Sequence, residues 1–240
     1  MAKVILTASG KGGVGKSVFT INLGATLAGR GLRVVIIDMN IGLRNLDIYL
    51  GLENKVIFDI ADVISGLCKP AKALVRDKRF PHLYILPATQ SKEKFHATKE
   101  DMKKLYSDLG EDNDYILVDC PAGINEELSL AASGADAAIL ITTLEYVSLR
   151  DADMADRKII EAGLKKRSYV VNKVSRDLIR KGLLPTFEDV DQIMKPPLLG
   201  IIQYDNSIHL AANCGIPVVC QKGNYIEENF NKIADRLIEY

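Results

Sequence analysis

Short apolar runs alternate with helically spaced apolar residues along the whole chain. Continuous apolar runs predict buried strands at Lys3–Ala8, Arg33–Ile37, Leu83–Leu86, Tyr115–Val118, Ala137–Thr142, Tyr169–Val171 and Leu198–Ile202. Helical spacing predicts helices at Ser17–Ala28, Thr98–Leu109, Glu126–Ser133, Leu149–Ala162 and Asp189–Met194. This alternation is typical of an α/β fold, a three-layer sandwich with a mainly parallel sheet and helices on both faces. Ligands of such sheets bind at the carboxyl ends of the strands.

One domain is expected to span residues 1–240. No internal repeat or low-complexity linker divides the chain, although Lys69-Pro70 and Lys195-Pro196-Pro197 mark loops. The segment Asn224–Tyr240 has apolar residues at helical spacing, and we expect it to pack onto the sheet.

The composition is that of an ordinary globular protein, with 48% hydrophobic and 26% charged residues. Lys plus Arg equals Asp plus Glu at 31 each, so no global field favours nucleic acid or anionic lipid. The four cysteines form no CxxC pair, which gives little support to a zinc, redox or iron-sulfur site. The amino terminus lacks a signal-type apolar region, and no apolar run approaches the roughly 20 residues of a spanning helix. The sequence therefore predicts a cytoplasmic protein that is not integral to a membrane.

A glycine-rich segment between the first strand and the first helix carries the clearest chemical signal. Residues 10–17 read G-K-G-G-V-G-K-S and match the phosphate-loop pattern G-x-x-x-x-G-K-S/T. Backbone N–H groups of such a loop wrap the β-phosphate, while Lys16 neutralises the β- and γ-phosphates and Ser17 offers a hydroxyl to Mg²⁺. A plain glycine-rich turn is the alternative, and the strand and helix context argues against it. The predicted ligands of ATP or ADP in this segment are Gly10, Lys11, Gly12, Gly13, Val14, Gly15, Lys16, Ser17 and Val18.

Two aspartates end apolar strands at the same predicted sheet edge. Asp119 closes the run D-Y-I-L-V-D, where P-loop enzymes keep the carboxylate that holds magnesium through water. Asp38 ends the second strand in the same manner. After Asp119, Pro121 and Gly123 lie in a small, flexible segment that could report the γ-phosphate by moving, although a plain strand-to-helix turn is the alternative.

The second lysine of the loop, Lys11, gives the form K-G-G-x-G-K-S/T. This form resembles the deviant Walker A family of P-loop ATPases, which includes ParA, MinD, the nitrogenase iron protein and the arsenical pump ATPases. The resemblance implies ATPase activity in an ATP-dependent homodimer, in which Lys11 reaches the partner's phosphates. It also implies that Asn172, in V-V-N-K, reads adenine; a strand-ending turn asparagine is the alternative.

Four further segments resemble the septum-site branch of this family in the same order along the chain. They are D-M-N-I-G-L-R-N-L-D at 38–47, I-L-P-A-T-Q at 85–90, D-C-P-A-G-I at 119–124 and V-S-L-R-D-A-D at 147–153. The resemblance implies a role in division-site placement and MinC-like and MinE-like partners. Family members are peripheral on the inner face of the cell membrane when ATP is bound.

The sequence departs from this branch at Asn40, where the branch carries the second aspartate of D-x-D. An amide can position water but cannot accept its proton, and general-base assistance is worth about 10²- to 10⁴-fold. ATP binding with slowed hydrolysis is therefore expected, with Lys11, Lys16, Asp38 and Asn40 as the catalytic set. Asn40 fits a natural non-hydrolysing paralogue or an introduced replacement that holds the ATP state. A further possibility is that Asp38 or the residues of the switch segments carry out hydrolysis in place of residue 40.

The carboxyl-terminal segment is the second departure, since the family attaches to anionic lipid through a basic amphipathic tail. Residues 224–240 hold more acid than base, so we do not expect direct membrane binding by this chain.

Two rival functions remain. The first is a ParA-like DNA- or cargo-positioning ATPase, which would need a basic patch. Lys165–Arg167 and Arg176–Lys181 are candidates for that patch. Runs of charge are usually solvated surface, however, so nucleic acid is not expected as a partner. The second rival is a nucleotide sensor that never hydrolyses ATP, and Asn40 is the evidence for it.

Overall fold

A computed structural model describes residues 1–239. Eight strands in one sheet take the order β3-β4-β2-β5-β1-β6-β7-β8. All neighbouring strands run parallel except β3, which pairs antiparallel with β4 at the edge. The strands are β1 (Lys3–Ala8), β2 (Val34–Asp38), β3 (Val75–Arg76), β4 (Leu83–Leu86), β5 (Tyr115–Asp119), β6 (Ala137–Thr142), β7 (Lys166–Val174) and β8 (Leu198–Gln203).

Helices connect these strands and cover both faces of the sheet. They are α1 (Lys16–Gly29), α2 (Leu46–Tyr49), α3 (Ile60–Ile64), α4 (Pro70–Ala73), α5 (Lys99–Gly110), α6 (Glu126–Ala131), α7 (Tyr146–Glu161), α8 (Arg176–Arg180), α9 (Phe187–Ile193), α10 (Asn206–Asn213) and α11 (Tyr225–Glu239). Single 3₁₀ turns lie at Glu53–Lys55, Lys92–Lys94 and Val218–Cys220. The predicted three-layer α/β fold is confirmed, and every predicted strand and helix is present.

Alternation along the strands divides the core into two apolar layers. On β1, Val4 and Leu6 face the layer that includes residues of α5, α6 and α7, whereas Ile5 faces the layer that includes α1 and α11. Because both faces are buried, the parallel strands read as continuous apolar runs, which is why the sequence located them.

The carboxyl-terminal helix α11 packs onto the sheet at β8, as the sequence predicted, and it also contacts α1. Its apolar face is buried, and the Phe230 ring lies 5.8 Å from the Phe19 ring between centroids. Tyr240, the last residue of the predicted segment, lies outside the described residues. Within residues 1–239, no helix combines the length and apolarity needed to cross a membrane.

The strand order brings the ends of β1, β2 and β5 together at the centre of the sheet. Asp38 and Asp119 are register partners on adjacent strands, and Thr7 of β1 is in register with Asp119 on its other side. The phosphate-loop segment follows β1 directly, so it joins the sheet edge at this point.

Candidate functional site

The phosphate loop runs from the end of β1 to the start of α1 and depends on its glycines. Gly13 and Gly15 adopt φ of 79° and 92°, the left-handed region that glycine occupies without strain. A Cβ on Gly10 would lie 2.0 Å from the carbonyl oxygen of Asp151 in α7, and one on Gly15 would lie 2.4 Å from the Asn172 amide nitrogen. Glycine at positions 10 and 15 therefore lets the loop pack against α7 and the end of β7.

A cavity of about 680 Å³ opens over this loop at the carboxyl edge of the sheet. It brings together most of the residues singled out from the sequence: Lys11, Gly12, Gly13, Val14, Gly15, Lys16, Ser17, Val18, Asn40, Pro121 and Asn172. Four others do not line it. Gly10 lies against α7, Asp38 and Asp119 are fully buried behind the cavity wall, and the Gly123 N–H donates to the Ser9 carbonyl at 2.9 Å.

Asp119 is the centre of the polar network beneath the loop. Its Oδ1 accepts hydrogen bonds from Lys16 Nζ at 2.9 Å and Thr20 Oγ1 at 3.1 Å. Its Oδ2 accepts from Ser17 Oγ at 2.6 Å and Asn40 Nδ2 at 2.8 Å. A buried carboxylate is stable only when it is paired and hydrogen-bonded, and here the Lys16 ammonium supplies the compensating charge.

Asp38 is the second buried carboxylate, and Asn40 links it to the first. Asp38 Oδ1 accepts hydrogen bonds from the Asn40 backbone N–H at 2.9 Å and from Asn40 Nδ2 at 2.8 Å. Burial raises the pKa of Asp38 and the charge of Asp119 adds to the rise, against hydrogen bonds from Asn40 and Leu46 that lower it. The two hydrogens of one amide nitrogen thus bridge two carboxylates that would otherwise repel each other.

The oxygen donors at this point fit magnesium. Ser17 Oγ and the Asp119 carboxylate are hard ligands beside the phosphate loop, and Mg²⁺ is usually held by one or two carboxylates together with phosphates and waters. Residues 1–239 contain no group of three or more His, Cys, Asp or Glu side chains arranged to hold a metal. The site therefore fits a magnesium ion that arrives with a nucleotide better than a dedicated metal cage.

Lys11 lies on the exposed side of the loop. Its Nζ forms an ion pair at 3.0 Å with Oε2 of Glu145, the residue before α7. Both side chains are substantially exposed, at 42% and 55%, so the pair is screened by water and holds Lys11 only weakly.

Asn172, at the end of β7, has the hydrogen-bonding capacity to recognise adenine. Its Nδ2 donates to the Val14 carbonyl at 2.8 Å and its Oδ1 accepts from the Lys173 N–H at 2.9 Å. One amide hydrogen and one lone pair remain. Asparagine pairs in this manner with N7 and the N6 amino group of adenine, whereas guanine presents acceptors at both positions.

Comparison with known proteins agrees with this geometry. The profile of the CobQ/CobB/MinD/ParA nucleotide binding domain matches residues 5–218. The chain belongs to this family. The septum site-determining protein MinD of Bacillus subtilis is 40% identical over 244 residues, covering 99% of this chain and 90% of that protein.

Solved structures of the MinD/ParA family superpose closely. A MinC:MinD cell division protein complex from Aquifex aeolicus gives a TM-score of 0.92 at 36% identity, covering 100% of this chain and 96% of that chain. MinD from Pyrococcus horikoshii complexed with Mg-ADP gives a TM-score of 0.88 at 30% identity, and the match covers 99% of this chain and 96% of that chain. ParA-type structures at about 20% identity share the fold.

Sequence reasoning missed several contacts that shape this family site. Thr20 lies one helical turn beyond Lys16 and binds the same carboxylate. The buried Ser9 hydroxyl finds no hydrogen-bond partner among residues 1–239. The lysine after Asn172 also reaches the phosphate loop, with Lys173 Nζ donating to the Gly13 carbonyl at 2.7 Å. A hydroxyl one turn into the helix was a usable signal for Thr20, but the contact of Lys173 depends on tertiary structure.

One of the two basic runs considered for nucleic acid is partly neutralised within the fold. Arg167 Nε donates to Asp156 Oδ1 at 2.6 Å and its Nη1 donates to the Lys165 carbonyl. Neutralisation of the guanidinium by Asp156 weakens one of the two candidate runs for binding a polyanion.

Proposed function

We propose that this chain is an ATP-dependent switch ATPase of the MinD type that acts in placing the division site. The observation that carries the proposal is the convergence of Lys16 and Ser17 on Asp119 beneath the phosphate loop, in a chain 40% identical to B. subtilis MinD. The eight strands joined in one sheet support a single ATPase domain over residues 1–240.

ATP or ADP binds with magnesium in the cavity above the phosphate loop. Loop N–H groups and Lys16 hold the phosphates, and Ser17 with Asp119 holds the magnesium, which supplies charge neutralisation at the phosphates when bound. Asn172 selects adenine. Pro121 and Gly123 form a switch segment beside the phosphate loop. The Gly123 N–H donates a hydrogen bond to the carbonyl of Ser9, the residue before the loop, and this contact links the two segments.

The ATP-bound form is a homodimer in which Lys11 of each copy reaches the phosphates of the other. An exposed ion pair is worth about 0–1 kcal/mol, so Glu145 does not prevent Lys11 from moving. Lys11 therefore has both the exposure and the freedom that a lysine acting across an interface requires.

Hydrolysis in this chain is slow because position 40 lacks a carboxylate. Asn40 Nδ2 directs both of its hydrogens at aspartates, so the side chain is a donor where a base would accept. The long-lived ATP dimer is then the signalling form, and hydrolysis resets it.

The partners we propose are a MinC-type protein and a MinE-type regulator. The structural relative from A. aeolicus is a MinC:MinD complex, which supports the first. Nucleic acid is not a proposed partner. The apolar face of α11 is buried in the fold, so that helix is not the membrane-binding element of a peripheral, ATP-dependent association.

Sedimentation velocity tests the proposal with Mg·ATP, with Mg·ADP and with Lys11→Ala plus Mg·ATP. Lys181→Ala is the matched control, since it removes an exposed lysine from the end of α8. We expect a dimer with ATP for the original chain and for Lys181→Ala, and monomers in the other two conditions. A monomer in all conditions, with ATP bound, would refute the dimeric switch.

A further inference from the structure

The end of β7 departs from strand geometry where it meets the phosphate loop. Lys173 adopts φ of 55°, a left-handed conformation that costs a residue with a Cβ roughly 1–2 kcal/mol. The pairing of β7 with β8 shifts register between Val171 and Val174, on either side of this residue. Strained backbone persists only where surrounding contacts impose it, and such positions cluster at functional sites.

Two of the contacts that hold this conformation reach the phosphate loop, and a third lies within β7. Asn172 Nδ2 donates to the Val14 carbonyl at 2.8 Å, and Lys173 Nζ donates to the Gly13 carbonyl at 2.7 Å. The Asn172 side chain also accepts the Lys173 N–H at 2.9 Å, which fixes the turn between them. Two consecutive side chains therefore hold two consecutive carbonyls of the loop.

Fixing these carbonyls also fixes where the loop's donors point. All peptide bonds of the described chain are trans, so each carbonyl points opposite to the N–H of the next residue. The carbonyls of Gly13 and Val14 turn toward β7, and the N–H groups of Val14 and Gly15 turn away from it. Among the described residues, neither N–H donates a hydrogen bond to the protein.

We propose that Lys173 is a positioning residue that, with Asn172, orients the Val14 and Gly15 N–H groups toward the phosphates of a bound nucleotide. This inference rests on the proposed use of the cavity for nucleotide. Lys173 acts through the loop carbonyl rather than by touching phosphate. Loss of the Lys173 ammonium should therefore weaken the binding of ligands that carry phosphates and leave the affinity for a nucleoside almost unchanged.

Isothermal titration of ADP with magnesium, and separately of adenosine, tests the proposal on Lys173→Met, Lys173→Arg and Lys181→Met. Methionine keeps the length of the side chain but removes the donor, and a hydrogen bond from a charged group is worth about 10- to 100-fold in affinity. We expect Lys173→Met to bind ADP about 10- to 100-fold more weakly and adenosine within about twofold of the original chain. Lys173→Arg should restore most of the ADP affinity, and Lys181→Met should match the original chain.

Three outcomes would overturn the inference. Equal losses for ADP and adenosine would mean that Lys173 covers the base, and unchanged ADP affinity would mean that the contact with Gly13 does not matter. If Lys173→Met lost ADP affinity and arginine did not restore it, the side chain would act by packing. Failure of the original chain to bind ADP at all would instead refute the proposed nucleotide site, and this result is distinct from the other three.

Discussion

Replacing Asn40 by aspartate should raise turnover and lower stability together. The new carboxylate would stand where an amide nitrogen now lies 2.8 Å from both Asp38 Oδ1 and Asp119 Oδ2. Two charge-assisted hydrogen bonds would be lost, and two repulsive pairs of like charge would take their place. At a separation of about 4 Å and an effective dielectric of about 20, each repulsive pair costs roughly 4 kcal/mol.

The half-buried position of residue 40 allows the aspartate to turn partly toward water. We therefore expect Asn40→Asp to lower the free energy of unfolding by about 2–4 kcal/mol, a fraction of the summed repulsion. The same carboxylate can accept a proton from an attacking water, so kcat should rise by about 10²- to 10⁴-fold. Urea denaturation in magnesium-free buffer and steady-state ATP turnover measure the two effects.

The stability loss should depend on pH with a definite sign. Burial and Asp119 already raise the pKa of Asp38 above 3.8, and a third carboxylate would raise it further. The folded variant then binds more protons than the unfolded chain between pH 3.8 and the raised pKa, so its stability falls as pH rises through that window. The deficit relative to the original chain should be smallest at about pH 4 and should grow as pH rises toward about 8.

Asn206→Asp is the matched control, because Asn206 is exposed at the first position of α10, where a negative charge is favourable. It should leave turnover unchanged and stability within about 0.5 kcal/mol. An Asn40→Asp variant with unchanged turnover would refute the catalytic role assigned to position 40. Unchanged stability would refute the view that Asn40 holds the two carboxylates together.

Three further predictions concern other parts of the molecule. Asn172→Ala should reduce the preference for ATP over GTP by about 10-fold or more in competition binding, because the remaining donor and acceptor that match adenine are lost; an unchanged ratio would contradict adenine recognition by this residue. Phe230→Ala should lower the free energy of unfolding by about 3–5 kcal/mol in chemical denaturation, since its fully buried ring packs on Phe19; a loss below about 1 kcal/mol would contradict the docking of α11. Burial raises the pKa of Cys120 to about 12, so iodoacetamide at about pH 8 should modify the exposed Cys214 and spare Cys120 in the native protein, as mass spectrometry would show.

Much of the fold could be predicted because the sheet is parallel and buried on both faces. Apolar runs located seven strands to within a few residues, with β7 the least complete because Lys166 and Arg167 begin it. Strand β3 was missed since two residues at an antiparallel edge carry no periodic signal. The short helices α2 and α3 were missed because four or five residues are too few to show a helical repeat.

The candidate site divides in the same way between local and tertiary information. The loop motif and the strand-ending aspartates are local, so the sequence predicted that they would meet at one edge. The bridge that Asn40 makes depends on Asp38 and Asp119 being register partners, which no local pattern specifies. The hydrogen bond from Lys173 to the Gly13 carbonyl joins residues 160 positions apart, and no local sequence pattern predicts it either.

The hydrogen bonds around Asp119 also bear on how this protein folds. Its partners Lys16, Ser17 and Thr20 lie 103, 102 and 99 positions away, so the network closes a long loop. Contacts of such high sequence separation are slow to form, and a network that forms after the main barrier affects unfolding rather than folding. We expect conservative changes at Thr20 to shorten the lifetime of the native state while leaving the refolding rate nearly unchanged, so that the nucleotide site also sets the kinetic stability of the fold.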